Sequence, residues 1–264
     1  MPHSTSLLKA AAALGCAAAS LAWPLASQAD CVARSGAKTV ALVELYTSEG
    51  CSSCPPADKQ LTTLRATLGA DAEAIALALH VGYWDYIGWK DPFAQKSFAE
   101  RQNWLVHTSQ NRVVYTPQFF VNGSEMRSWH TGLRSEVQRV NKQAPLADIQ
   151  LQAKLDGRGG LGIQAQASTR EPVTGAVLYL ALTESGLLSK VTRGENGGVT
   201  LAHDHVVREW LGPFSLDATG ARVQPRIVLQ NQWNPARLNL VAFVQDQRSG
   251  QVLQALSAAQ CAGT

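Results

Sequence analysis

Two cysteines set between an apolar strand and the start of a helix constrain this chain more than any other feature. Residues 39–46 (TVALVELY) form an apolar run of buried-strand length. Cys51-Ser52-Ser53-Cys54-Pro55-Pro56 follows it directly, and residues 56–68 then place Ala57, Leu61, Leu64 and Leu68 on one helical face. Adjacent prolines are tolerated only at a helix start, where missing N–H groups cost little, so the helix begins at the second cysteine. A second apolar run, residues 74–80, comes next. Strand, helix and strand at this spacing predict a βαβ unit with parallel strands and a right-handed crossover.

The motif's position bears on its chemistry. Free N–H groups and the positive end of the helix dipole favour a thiolate, the form of sulfur that attacks. Two intervening residues let the second thiol displace a partner bound to the first. Redox exchange, a structural disulfide and half of a metal site all remain open for the pair. A zinc site needs two more Cys or His at matching spacing, and no second cysteine pair exists.

After an insertion at residues 81–111, Gln118–Val121 and residues 126–129 flank Asn122-Gly123, a strong two-residue hairpin signal. Pro117 stands just before the first of these strands, where it cannot donate to a ladder. A helix over residues 132–142 closes this half. From Leu146 the apolar pattern changes to period two: Ile149, Leu151, Ala153 and Leu155 share one face, and Leu161, Ile163, Ala165 and Ala167 run back after a glycine-rich turn. Similar runs at 176–183, 226–230, 238–244 and 252–256 predict an antiparallel, immunoglobulin-like β-sandwich. The expected organisation is therefore a leader at 1–29, an α/β domain at 30–145 and a β-sandwich domain at 146–264.

Lys9, the apolar run 10–22 and Ser27-Gln28-Ala29 read as an export signal cleaved near Ala29. Leu14-Gly15-Cys16 offers a lipoprotein alternative, against which the small Ala13 counts. The expected location is periplasmic or secreted, with no membrane span after signal removal. Cleavage leaves four cysteines, and with Cys51 and Cys54 paired locally, Cys31 and Cys261 remain for an end-to-end structural bridge. Of 264 residues 45% are hydrophobic and 16% charged, enough to bury sizeable cores. A formal charge of +3, without Lys/Arg runs interleaved with aromatics, argues against nucleic acid as a partner.

In a βαβ unit both parallel strands end on one edge, so His80, Tyr83, Trp84, Asp85 and Trp89, which follow the second strand, are expected near Cys51 as a substrate groove. Packing of the insertion is the competing reading for the tryptophans, and a satisfied strand-end histidine for His80. His203 and His205 would share a face on a strand, a candidate metal pair, although exposed strand polarity explains them as well. Arg193–Gly198 (RGENGG) reads as a turn that can also face the first half.

Four stretches give the chain a resemblance: VELYTSEGCSSCPPAD (43–58), LALHVGYWDYIGWKDPFA (77–94), VYTPQFFVNG (114–123) and RGENGG (193–198). They resemble a secreted bacterial family known as domain of unknown function 1223, and residues 38–143 resemble the thioredoxin superfamily. The superfamily resemblance implies a thioredoxin-like fold with Thr116–Pro117 cis beside the dithiol, leaving Thr116 backbone groups free to pair with an extended peptide. It implies Cys51 as attacking thiolate, Cys54 as resolving thiol, and Glu44 as a buried acid able to take a proton from Cys54. The Ser-Ser dipeptide and the long insertion depart from thioredoxin itself. Expected partners are protein or peptide thiols and disulfides, with no cofactor. A copper or soft-metal module using the same thiols, or a non-catalytic interaction protein stapled by the disulfide, are the alternatives.

Overall fold

A computed structural model describes residues 31–110 and 112–259, together with Met1. The expected export signal, Cys16 and Cys261 lie outside the described residues, and with Cys261 lies the expected bridge to Cys31. The fold is mixed α/β, with more strand than helix and no closed barrel.

The first strand, β1 (Cys31–Arg34), leads to β2 (Ala41–Thr47). The helix expected over 56–68 is two, α1 (Pro55–Thr62) and α2 (Leu64–Leu68), with a break at Thr63. β3 (Ala74–His80) returns parallel to β2, in register Ala41 to Ala74. A 3-10 turn at Gly82–Ile87 and α3 (Lys96–Thr108) fill the insertion. β4 (Gln118–Val121) and the short β5 (Ser124–Glu125) form a hairpin about Asn122-Gly123, its second strand at 124–125 rather than the expected 126–129. Trp129 already belongs to α4 (Trp129–Asn141), which begins three residues earlier than the sequence suggests. Asn122 and Gly123 both have positive φ, 48° and 83°, as a type I′ turn requires. A Cβ on Gly123 would also collide with the Gly250 carbonyl. Gly123→Ala is therefore expected to lower the unfolding free energy by more than about 1 kcal/mol, read by urea denaturation.

β6 (Ala147–Leu155) and β7 (Gly160–Thr169) pair antiparallel, and β8 (Ala176–Glu184) follows. A small hairpin, β9 (Leu187–Lys190) and β10 (Thr200–His203), carries the 193–198 turn at its tip. Then come β11 (Val206–Ser215), β12 (Ala221–Val223), β13 (Arg226–Val228), β14 (Leu238–Asp246) and β15 (Val252–Ala259).

One eight-stranded sheet, ordered β15-β14-β8-β11-β3-β2-β4-β5, runs through both halves of the chain. β11 makes the join: it is antiparallel to β8 and parallel to β3, where the Ala78 N–H donates to the His205 carbonyl at 2.8 Å. The second sheet holds β1, β6, β7, β12 and β13. β1, which the sequence reading grouped with the first half, pairs with β6 in this second sheet.

Side-chain alternation builds three cores from these two sheets. Val43 and Leu45 face Ala57 and Leu61 of α1 and Leu133 and Val137 of α4. Leu42 and Tyr46, on the other face, meet Phe98 and Leu105 of α3, together with Tyr179 and Phe243 of β8 and β14. Leu178, Leu180 and Leu240 pack on Ile149, Leu151 and Ile163 of the second sheet. The helix α3 thus lies over the seam between the halves.

A covered disulfide above a buried acid–histidine cluster

β2 ends at Thr47, and the next seven residues lead into α1. Cys51 and Cys54 form a disulfide here with a Cα separation of 5.4 Å. The Cys51 N–H donates to the Ser48 carbonyl (3.1 Å) and the Cys54 N–H to the Cys51 carbonyl (3.2 Å). Pro55 and Pro56 open α1 without donors, and the N–H groups of Ala57 and Asp58 close on the Cys54 carbonyl. Ser53 Oγ lies 3.3 Å from Cys51 Sγ. Cys51 is 1% exposed and Cys54 0%, while Ser52 and Ser53 between them face solvent.

Trp84 stands beside this turn. A Cβ on Gly50 would lie 2.9 Å from Trp84 Cβ, and the Trp84 indole N–H donates to Thr116 Oγ1 at 2.7 Å. The Thr116–Pro117 peptide is cis, and β4 begins at the next residue, where Gln118 pairs with Tyr46 of β2. Trp84 thereby links the cysteine turn to Thr116. Tyr83 and Tyr86 are exposed on the same 3-10 turn, and Trp84 stacks on Tyr86 with centroids 6.5 Å apart.

Beneath the turn lies a cluster of ionisable side chains sealed from water. His80 Nδ1 is 2.7 Å from Asp91 Oδ2, both side chains having no exposed surface. Asp91 Oδ2 also accepts from the Glu49 N–H (2.9 Å). Glu49 in turn lies 3.1 Å from His203 Nε2 and accepts from the Trp89 indole N–H at 2.7 Å. The rings of His80 and His203 meet edge to face at 4.9 Å, with Phe93 against both. Asp58, one helical turn after Cys54, is buried within electrostatic reach of both histidines.

Burial favours the neutral forms of His80, Asp91 and Asp58, and their partners decide the outcome at each. At His80 burial pulls the pKa down, but Asp91, with Asp58 and Glu49 behind it, outweighs burial and leaves it raised. Burial pushes the Asp91 carboxyl up, and His80 with two backbone N–H groups brings it below the usual carboxylate range. At Asp58 burial wins over the pull of the two histidines and of the Thr47 hydroxyl, and its pKa is raised.

The expected site residues are only partly gathered. Cys51 and Cys54 pair, and Trp84 bridges their turn to Thr116, which precedes Pro117. Asp85 caps the loop from outside, its Oδ1 accepting from the Asp91 N–H (3.2 Å). His80 and Trp89 belong to the buried cluster rather than to an open groove. Glu44 is not brought to the cysteines. It shares a face of β2 with Leu42 and Tyr46, away from α1, and Arg101 holds both its oxygens at 2.7 and 2.8 Å. His203 and His205 do not share a strand face, because His205 sits in the β10–β11 turn with φ 59°. Among the described residues, no group of three or more His, Cys, Asp and Glu is arranged to hold a metal ion.

Glu49, Asp58 and Asp91 are members of the site that motif reasoning passed over. Glu195 and Asn196 join them from the 193–198 turn of the second half, which does face the first half. Asn196 Nδ2 donates to the carbonyls of Glu49 (2.8 Å) and Cys51 (3.0 Å), and Glu195 Oε2 accepts from the Ser52 N–H (2.9 Å).

Residues 42–245 match a family described as protein of unknown function (DUF1223). No curated protein matches the chain. Two solved structures share its fold. One is a structural-genomics target from Agrobacterium tumefaciens, 22% identical, with TM-score 0.59, the alignment covering 84% of this chain and 96% of that one. The other is HBP35 of Porphyromonas gingivalis, 13% identical, with TM-score 0.67, covering 85% and 76%.

Proposed function

The chain belongs to the DUF1223 family, whose description assigns no reaction, and we propose that it is an exported thiol–disulfide exchange protein with a thioredoxin-like first half and an immunoglobulin-like second half. The observation that carries this reading is the Cys51–Cys54 disulfide between a central strand and a helix start, with Thr116 and Pro117 linked to it through Trp84. The export signal expected at residues 1–29 supports a periplasmic or secreted setting, where disulfides persist.

The reaction balances with a dithiol protein or peptide as reductant. A substrate thiolate attacks Cys51 Sγ, the Cys51–Cys54 bond breaks, and Cys54 leaves as a thiolate that takes up a proton. The second substrate thiolate then attacks its own sulfur in the mixed disulfide and releases Cys51. Two electrons and two protons pass from the substrate to the cysteine pair, and the substrate leaves as a disulfide. Run backwards from the dithiol, the same steps reduce a substrate disulfide. Exposed Tyr83 and Tyr86 offer apolar surface beside the turn for the substrate chain.

Cys54→Ser is expected to trap mixed disulfides at Cys51 with periplasmic proteins, seen as thiol-sensitive adducts on a non-reducing gel, and Cys51→Ser is expected to trap none. If neither adducts nor dithiol exchange by the wild type can be detected, this reading fails. The near-complete burial of both cysteines favours a second reading, a disulfide that fixes the turn and exchanges with nothing. It predicts a reduction potential below about −300 mV, as in structural disulfides.

A further inference from the structure

Cys51 is buried, and the turn that carries it is held by a loop from the other half of the chain. The hairpin β9–β10 carries residues 193–198 across the cysteine turn. Asn196 donates from this loop to the carbonyls of Glu49 and Cys51, and Glu195 accepts from the Ser52 N–H and pairs with the Ser52 side chain. Asn196 is buried by this contact, whereas Arg193, Gly194, Glu195, Gly197 and Gly198 are exposed on the outer side. Gly194 and Gly198 have positive φ, 74° and 89°, so each end of the loop bends in a conformation other residues rarely adopt. Ile87 and Trp89 close the inner side, 3.3 and 3.4 Å from where a Gly194 Cβ would stand. Behind the loop, His203 is tied to Glu49.

We propose that residues 193–198 are a lid over the Cys51–Cys54 disulfide, latched by Asn196 and Glu195, which determines which thiols reach Cys51. The proposal rests on the reading of the pair as an exchange site. An attacking sulfur must approach Cys51 along the Cys54–Cys51 axis, and a residue 1% exposed leaves no such approach while the loop is seated. The latch also answers to the state of the sulfur. The Glu195 carboxylate occupies an amide at the entry to α1, the same positive region that would stabilise a Cys51 thiolate. Two anions cannot share it, so the loop sits best over the neutral disulfide and is repelled when the pair is reduced. The lid makes Asn196 and Glu195 selectivity residues: small dithiols and partners able to displace the loop are admitted, and bulky thiols are not.

The test measures the rate at which dithiothreitol and reduced glutathione open the disulfide in the full-length wild type, Asn196→Ala and Glu195→Ala, followed by quenching with a mass-tagged maleimide. Both variants are expected to be reduced about tenfold faster by dithiothreitol, with a larger gain for the bulkier glutathione. Glu195 is exposed, so its variant keeps the test informative even if Asn196→Ala perturbs the loop's folding. Equal rates in all three proteins overturn the lid. Faster reduction of the variants together with no exchange on any protein or peptide disulfide leaves the lid standing and removes the proposed function. Exchange by the wild type as fast as by the variants does the reverse.

Discussion

Arg101→Ala is expected to lower the unfolding free energy by about 3–5 kcal/mol, the range for removing one member of a buried ion pair. The guanidinium lies in the seam between the two halves with its hydrogen-bonding groups satisfied from both. Its Nε and Nη2 hold Glu44 of β2, and Nη1 and Nη2 both reach Gln245 Oε1 of β14 at 3.2 Å. Tyr46 adds a hydroxyl to the same carboxylate at 3.0 Å. The faces of Trp104, Tyr179, Trp210 and Phe243 surround the charge at 4.6 to 5.6 Å. Burial works against the charged guanidinium, yet Glu44 holds its pKa above the usual value, so it stays ionised. Alanine would leave Glu44 buried without its counter-charge, and the aromatic box around a void. Lysine keeps the charge but loses the planar fork, so Arg101→Lys is expected to recover only part of the loss. Glu44→Gln combined with Arg101→Met removes both charges and is expected to cost less than Arg101→Ala alone. Urea denaturation of the four proteins measures each step. A loss below about 1 kcal/mol for Arg101→Ala, the level of a surface pair, would contradict this account.

The expected role of Glu44 in proton transfer and its observed role differ because a strand residue's face cannot be read until register is fixed. One residue of slip moves a side chain to the opposite face. The elements with strong local signals were legible. Residues 41–47 and 74–80 are apolar except for Glu44, Thr47 and His80, close to what strands covered on both sides should be, and Asn122-Gly123 forms its own turn. β11 carried no such signal. Its sequence VVREWLGPFS contains Pro213 and neighbouring charges, and it pairs with β8 through two register shifts, after Val207 and after Leu211. That strand nevertheless fuses the halves into one sheet. Long-range partners were equally hidden. Glu49 and His203 lie 154 residues apart in sequence, and Ser52 and Glu195 lie 143 apart. Nothing local marks an acid for burial when its partner comes from a distant hairpin. The available hints were that Glu49, Asp58, Asp91, Glu195 and Asn196 all fall inside the stretches that carry the family resemblance, and that the 193–198 turn can face the first half.

The sealed cluster under the cysteine turn supplies the second large effect. His80→Ala is expected to cost about 3–5 kcal/mol, because it leaves Asp91 buried with backbone N–H groups but no counter-charge. His80→Gln separates charge from shape, since an amide can still donate to Asp91 but does not titrate. The folded-state pKa of His80 is raised above 6.5, so its contribution is complete below about pH 6.5 and fades as pH rises through the folded value. Asp91 acts with the opposite sign: its lowered pKa gives stability present above about pH 3.8 and lost as pH falls through the folded value. Asp58, raised, contributes stability that is complete below about pH 3.8 and lost as pH rises through its folded value, because ionising it in the folded state is unfavourable. The groups facing His80 are thus Asp91, Asp58, Glu49 and His203, with Phe93 completing the enclosure. The advantage of wild type over His80→Gln is therefore largest between about pH 4 and 6.5 and shrinks toward alkaline pH. Urea unfolding of both proteins at pH 5.5 and 9.5 measures it. A gap that stays constant between the two would mean that His80 is neutral at both, and that Asp91 is held by hydrogen bonds without an opposing charge.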